Sequence, residues 1–193
     1  MSISVGESRM TDDRRLLERL KRGDKDALRA IYGKYEGPLI GLAANLLDDP
    51  TLAEDVLQDV LISLVRSVHR LNLRRSLKAY LATAVANRTR DYYRRRPHQQ
   101  VVSIDEARSL EAGDRGPVQM VICNEQMQSV RAAVTKLSYE QREAVMLRIH
   151  ADMKFREIAA VQKVSTKTAL SRYRYGLDKL RSMLNGEVSN ERQ

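Results

Sequence analysis

Apolar residues recur at steps of three and four along nearly the whole 193-residue chain, and this regularity decides the fold class. No stretch alternates apolar and polar residues over more than a few positions, as a half-buried strand would. Nine glycines and four prolines leave few places for the pattern to break. The expected class is all-α, with two small helical domains joined by a flexible linker. Hydrophobic residues make up 42% of the chain, enough for a core, whereas aromatics are only 5% with no Trp, so that core is aliphatic.

Helix boundaries can be placed from capping chemistry. "DDRRLLERLKRG" is a short helix closed by Gly23, a residue suited to a C-cap. Asp24 then caps a longer helix carrying Ala27, Leu28, Ile31, Tyr35, Leu39, Leu42, Ala43 and Leu46. Pro38 falls inside it and predicts a kink or local break, because proline lacks the amide hydrogen a helix interior uses. In "DDPTLAED", Asp49 is the next N-cap and Pro50 the first helical residue, with acids in the first turn where the helix dipole favours them. That helix runs to about Arg70; the following one starts at Ser76 and stops at Arg96, before Pro97. Helical pattern resumes near Met120 and runs to Lys136. Ser138 with Gln141 opens another helix, a short one spans Phe155 to Val161, and Ser165 caps a last helix ending near Leu184. Between them "HQQVVSIDEARSLEAGDRGPV" has no period and more acids than bases, so it reads as a linker. The division is 1–23 as an N-terminal segment, 24–97 as a first domain, 98–119 as linker, 120–185 as a second domain and 186–193 as a tail.

The net charge is +9, which favours a polyanionic partner. Residues 66 to 96 hold ten Lys/Arg against one acid, Asp91. Within them "NRTRDYYRRRP" ends its helix with five arginines and two tyrosines. A second focus at 163 to 181 holds Lys163, Lys167, Arg172, Arg174, Lys179 and Arg181 against Asp178. Two basic foci on two domains suit two contacts on one extended polyanion. The second focus sits on a short helix, tight turn and capped helix, the order of a helix-turn-helix. In its last helix Ala169, Tyr173, Gly176 and Leu180, flanked by Leu177 and Leu184, form a packing stripe. Thr166, Lys167, Ser171, Arg172, Arg174 and Tyr175 are left to face away, either toward base edges and phosphates or simply toward solvent. The helix at 50 to 70 puts Glu54, Asp55, Gln58 and Asp59 on one acidic face beside a broad apolar one. That pattern fits a docking face or an ordinary polar face with dipole-favoured acids.

Other chemistry is poorly represented. No apolar run is long enough to span a membrane, and "MSISVGESRM" lacks a signal-peptide core, so the chain reads as cytosolic. Cys123 cannot form an intrachain disulfide, and His69, His98 and His150 are scattered, so neither a metal nor another cofactor is expected. Without a phosphate-binding glycine loop or a nucleophile paired with a base, an enzyme is not expected.

Three segments in order resemble the sigma factors of bacterial RNA polymerase, in the two-domain extracytoplasmic-function group of the sigma-70 family. They are "AEDVLQDVLISLVRSV", similar to the acidic-Gln helix of region 2; "LKAYLATAVANRTRDYYRRRP", similar to its promoter-facing helix; and "LSYEQREAVMLRIHADMKFREIAAVQKVSTKTALSRYRYGLDKL", similar to region 4. The resemblance covers roughly 24 to 97 and 125 to 184. It implies that Asp55, Gln58 and Asp59 bind core RNA polymerase. It further implies that the minus-ten promoter element is held and opened by Arg74, Arg75, Lys78, Tyr80, Asn87, Arg88, Asp91, Tyr92, Arg94 and Arg95, with Tyr80, Tyr92 or Tyr93 beside unstacked bases. The minus-thirty-five element would be read by Thr166, Lys167, Ser171, Arg172 and Arg174. Restraint would come from an anti-sigma factor or from a compact self-inhibited form, with the acids Asp105, Glu106, Glu111, Asp114 and Glu125 shielding a basic face. The chain departs from the family at several points. The tryptophans common near Val65 and Tyr80 are replaced, Lys163 stands for the usual turn glycine, Lys154 for a small hydroxyl cap, and Leu170 for a lysine. A stand-alone helix-turn-helix regulator, or a protein gripping single-stranded RNA through the Arg/Tyr segment, is the alternative; dependence on core polymerase separates them.

Overall fold

The computed structural model describes residues 5–47, 49–71, 73, 76–95 and 128–190. The linker, Cys123, the five acids expected to shield a basic face, and Arg74 and Arg75 lie outside the described residues. Those described form α-helices and 3₁₀ turns, with no strand among them. The helices are α1 (Val5–Lys21), α2 (Lys25–Leu46), α3 (Ala53–Ser67), α4 (Leu77–Arg95), α5 (128–135), α6 (Tyr139–Ala151), α7 (Phe155–Gln162) and α8 (Thr166–Asn190).

The capping residues act as their chemistry predicts. Asp24 accepts from the amides of Asp26 and Ala27, while Gly23 takes φ +82° at the turn before it. Asp49 caps the 3₁₀ turn Pro50–Leu52 that leads into α3, and a second turn, Val68–Arg70, carries that segment to the expected Arg70. Ser76, Ser138 and Ser165 accept from the amides of Ala79, Gln141 and Thr168. Two expectations are corrected. Pro38 does not break α2, which continues through it to Leu46, because Tyr35 and Leu39 on either side are buried and their packing outweighs one missing hydrogen bond. The last helix also runs past Leu184, to Asn190.

The core forms around α2 and α6. Helix α2 buries Ala27, Ile31, Tyr35, Leu39, Leu42, Ala43 and Leu46. Helix α1 docks on it through Asp13, whose Oδ1 accepts from the Tyr35 hydroxyl at 2.5 Å and the Lys34 Nζ at 2.8 Å. In α6 six successive residues, Arg142 to Leu147, are buried, more than a full turn. Such a helix has no solvent face there: α2 and α4 cover one side, and α7 and α8 the other. Buried residues from 17–86 and 134–169 consequently form one continuous apolar cluster. Gly41 permits the closest approach, since a Cβ there would lie 2.7 Å from the Cε1 of His150 on α6.

Candidate nucleic-acid interface

Helix α3 turns Val56, Leu57, Val60 and Leu64 inward, so its opposite face is left to solvent. Asp55 and Gln58 are exposed there, followed at helical spacing by Ile62 and Val65, 43% and 41% exposed. Acid and amide thus lead into an apolar patch on one stripe. Asp59 is displaced toward α4, where its Oδ2 accepts from Arg88 Nε at 2.9 Å and also from Arg88 Nη2. The structure therefore joins Asp59 to Arg88, although the sequence reading gives them different partners. Ile62 was missed as a surface residue; its signal was its place one turn after Gln58.

Helix α4 carries half of the first basic focus, five of its ten cations. Asn87 and Arg94 are exposed, Arg94 pairs with Asp91, and Arg90 donates to Asn87 Oδ1 at 3.2 Å. Lys78 Nζ donates to Asp152 Oδ2 at 2.6 Å. Tyr80 and Tyr92 are half-buried against the core, with the Tyr80 hydroxyl 3.4 Å from Ser67 Oγ. Tyr93 meets Tyr139 edge-on at 4.9 Å between centroids, and its hydroxyl accepts from Arg142 at 2.5 Å. Arg95 is the last residue of the helix.

Helices α7 and α8 form the helix-turn-helix. Lys163 holds the turn at φ 55°, ψ 43°, the left-handed conformation that glycine adopts at no steric cost. At the start of α7 the Lys154 amide donates to Glu157 Oε2, so the acid supplies the cap that Lys154 lacks. Ala169 and Gly176 are buried, with Tyr173, Leu177 and Leu180 packed beside them, as the predicted stripe requires. Thr166, Lys167 and Arg174 are exposed, and Ser171 and Leu170 half-buried. Arg172 Nη1 donates to Gln162 Oε1 at 3.0 Å.

The electrostatics centre on α6. Burial raises the Glu143 carboxyl above the ordinary range, against the pull of Arg90 and of hydrogen bonds from Gln162, Arg90 and Tyr139. Burial, with the Glu143 charge second, pushes the Tyr139 phenol up. His150 is pushed down, by burial first and the Lys78 charge second. No helix among the described residues is long and apolar enough to cross a membrane.

Helices throughout the described residues, with a helix-turn-helix in α7 and α8 and a basic helix α4 beside the acid-and-apolar face of α3, place the chain in the class of helix-turn-helix proteins. Comparison with known proteins narrows the class. Residues 31–98 match the family model for sigma-70 region 2. The chain is 30% identical over 179 residues to the RNA polymerase sigma factor CarQ of Myxococcus xanthus, covering 91% of this chain and 98% of the relative. It is 24% identical over 173 residues to the ECF RNA polymerase sigma-E factor of Escherichia coli K12, covering 86% and 90%. The chain belongs to the sigma-70 family of RNA polymerase sigma factors, in the extracytoplasmic-function group. Its fold is that of CnrH, solved in complex with the cytosolic domain of CnrY, at a TM-score of 0.67 and 22% identity over 91% of this chain and 98% of that one. It is also that of RpoE from Bartonella quintana, solved with the anti-sigma factor NepR, at 0.64 and 22% identity over 81% and 96%.

Proposed function

We propose that this sigma factor docks on core RNA polymerase through the outer face of α3 and directs it to promoters through α4 and α8. The observation that carries the reading is the stripe Asp55, Gln58, Ile62 and Val65, in which a helix of a folded domain leaves acid, amide and two aliphatic side chains together in solvent. Such a face suits a helical partner with basic and apolar side chains. Asp59 borders the stripe and links it to α4 through Arg88. Residues 24–97 serve polymerase docking and the minus-ten element, and 120–185 the minus-thirty-five element.

The action is by binding alone. Arginines and lysines of α4 and of the residues before it, Arg74, Arg75, Lys78, Arg88, Arg94 and Arg95, hold phosphates. Asn87 and Asp91 present polar edges, and Tyr80 or Tyr92 packs against unstacked bases. Preferential binding of the opened strand is sufficient to favour melting. Helix α8 enters the major groove by its N-terminus, with Thr166, Lys167, Ser171, Arg172 and Arg174 as contacts. An anti-sigma factor is the expected antagonist, since one solved structure of similar fold holds the sigma factor RpoE with the anti-sigma factor NepR. Family membership weighs against a stand-alone regulator.

The test is co-elution of the purified chain with sigma-free core polymerase, repeated with Asp55→Ala, Gln58→Ala and Asp59→Ala combined. Co-elution of the unaltered chain, lost in the variant, is expected. Failure of the unaltered chain to co-elute while it still retains DNA would sink the reading.

A further inference from the structure

Helix α6 lies antiparallel along α4 and engages it from end to end. Near the start of α4, Lys78 meets Asp152 at the C-terminus of α6. Toward the end of α4, Thr89 Oγ1 lies 3.1 Å from the Tyr139 hydroxyl, and Tyr93 receives Arg142. Between them Arg90 Nη2 donates to Glu143 Oε1 at 2.5 Å, with the Glu143 side chain only 2% exposed and that of Arg90 29%. The second Glu143 oxygen, Oε2, accepts from Gln162 Nε2 at 3.1 Å, and Gln162 Oε1 accepts from Arg172 at 3.0 Å. A polar chain thus runs from α4 through α6 and α7 to α8, beginning and ending on an arginine of a basic focus.

A buried carboxylate persists when a cation and further donors satisfy it, and a guanidinium pairs with carboxylate or phosphate through the same planar fork. Glu143 occupies, relative to Arg90, the place a nucleic-acid phosphate would take. We propose that Glu143 is an internal phosphate surrogate: it clasps Arg90 and, through Gln162, ties down Arg172, so that the chain closes on itself and withholds one arginine of each basic focus from DNA until α6 leaves α4. Lys78, held by Asp152, is a third cation withheld in the same way. This rests on the reading of α4 and α8 as the DNA-facing helices.

The clasp predicts two separable effects, on compactness and on polyanion affinity. The probe is a fluorescently labelled oligothymidylate, which needs no knowledge of the promoter, with binding followed by anisotropy at several salt concentrations. The radius of gyration of the full-length chain is measured in parallel by small-angle X-ray scattering. Glu143→Gln should enlarge the chain and tighten oligothymidylate binding severalfold, and the salt slope should steepen by about 0.7 for each further phosphate neutralised on a single strand. Arg90→Gln, which leaves the buried acid in place, should enlarge the chain without tightening binding, because it removes a cation of the first basic focus along with the clasp. Circular dichroism confirms that each variant keeps its helices, and Arg90→Gln still tests closure if Glu143→Gln loses them. A chain that stays compact in the folded variants overturns the clasp. Opening in Glu143→Gln with unchanged affinity also overturns it, since masking is then absent. Co-elution with core polymerase is scored separately on the unaltered chain. Its failure would overturn the sigma reading without altering what the scattering says of the clasp.

Discussion

Lys163 is the residue whose conformation and identity agree least. A β-carbon in the left-handed region crowds the neighbouring carbonyl at a cost of about 1–2 kcal/mol, of which glycine's greater chain entropy would offset about 0.5–1 kcal/mol. Lys163→Gly should therefore raise stability by about 0.5–1 kcal/mol, or about 1–4 °C in melting temperature for a chain of this size. Calorimetry of the two proteins decides it, and a lower melting temperature in the variant would show that the lysine side chain supports the turn. The sequence exposed this position because a helix-turn-helix turn needs one residue at positive φ. Caps are equally local: Asp24, Asp49 and Ser138 each bind an amide two or three residues away.

At the scale of the element, α1 shows how one buried acid seats a helix. Asp13 is 3% exposed and is the shared acceptor for Lys34 and Tyr35 of α2. Asp13→Ala removes that acceptor within the interface, at a cost of about 1–3 kcal/mol. Hydrogen exchange should then show α1 amides losing protection while those of α6 keep it; unchanged protection in α1 would mean that Leu17 and Leu20 alone seat the helix. Helix α2 teaches the complementary point. Pro38 is a genuine local breaking signal, and burial of Tyr35 and Leu39 overrides it. Helix α6 goes further, because "REAVML" gives no sign that all six residues are enclosed. Enclosure depends on which helices arrive on each side, and no local pattern encodes that.

For the whole molecule, the joint between the two halves should respond to pH through His150. Its imidazole lies against Gly41 of α2 and is held below its ordinary value by burial and by Lys78, which in turn faces Asp152. The unfolded chain therefore binds the proton more readily. The stability His150 contributes is fully present above its unfolded value of about 6.5 and is lost as pH falls through the lower folded value. The interval from about pH 7.5 to 6 brackets the ordinary histidine value, so the loss begins there. The melting temperature of the chain should fall over that interval more steeply than that of His150→Gln. Parallel curves for the two proteins would remove His150 from the account.

What the sequence determined by itself was whatever acts over a few residues: the helical class, nearly every cap, the packing stripe of α8, the two basic foci and the family motifs. Only the tertiary structure decided which side chains those foci meet. Arg88 faces Asp59, Arg90 faces Glu143, and Arg172 reaches the same buried acid through Gln162. The physical reason is that an arginine in sequence is satisfied equally by water, by a phosphate or by any carboxylate. The choice among them is made only when helices far apart in the chain pack together and remove the water, as α4 and α6 do around Arg90 and Glu143.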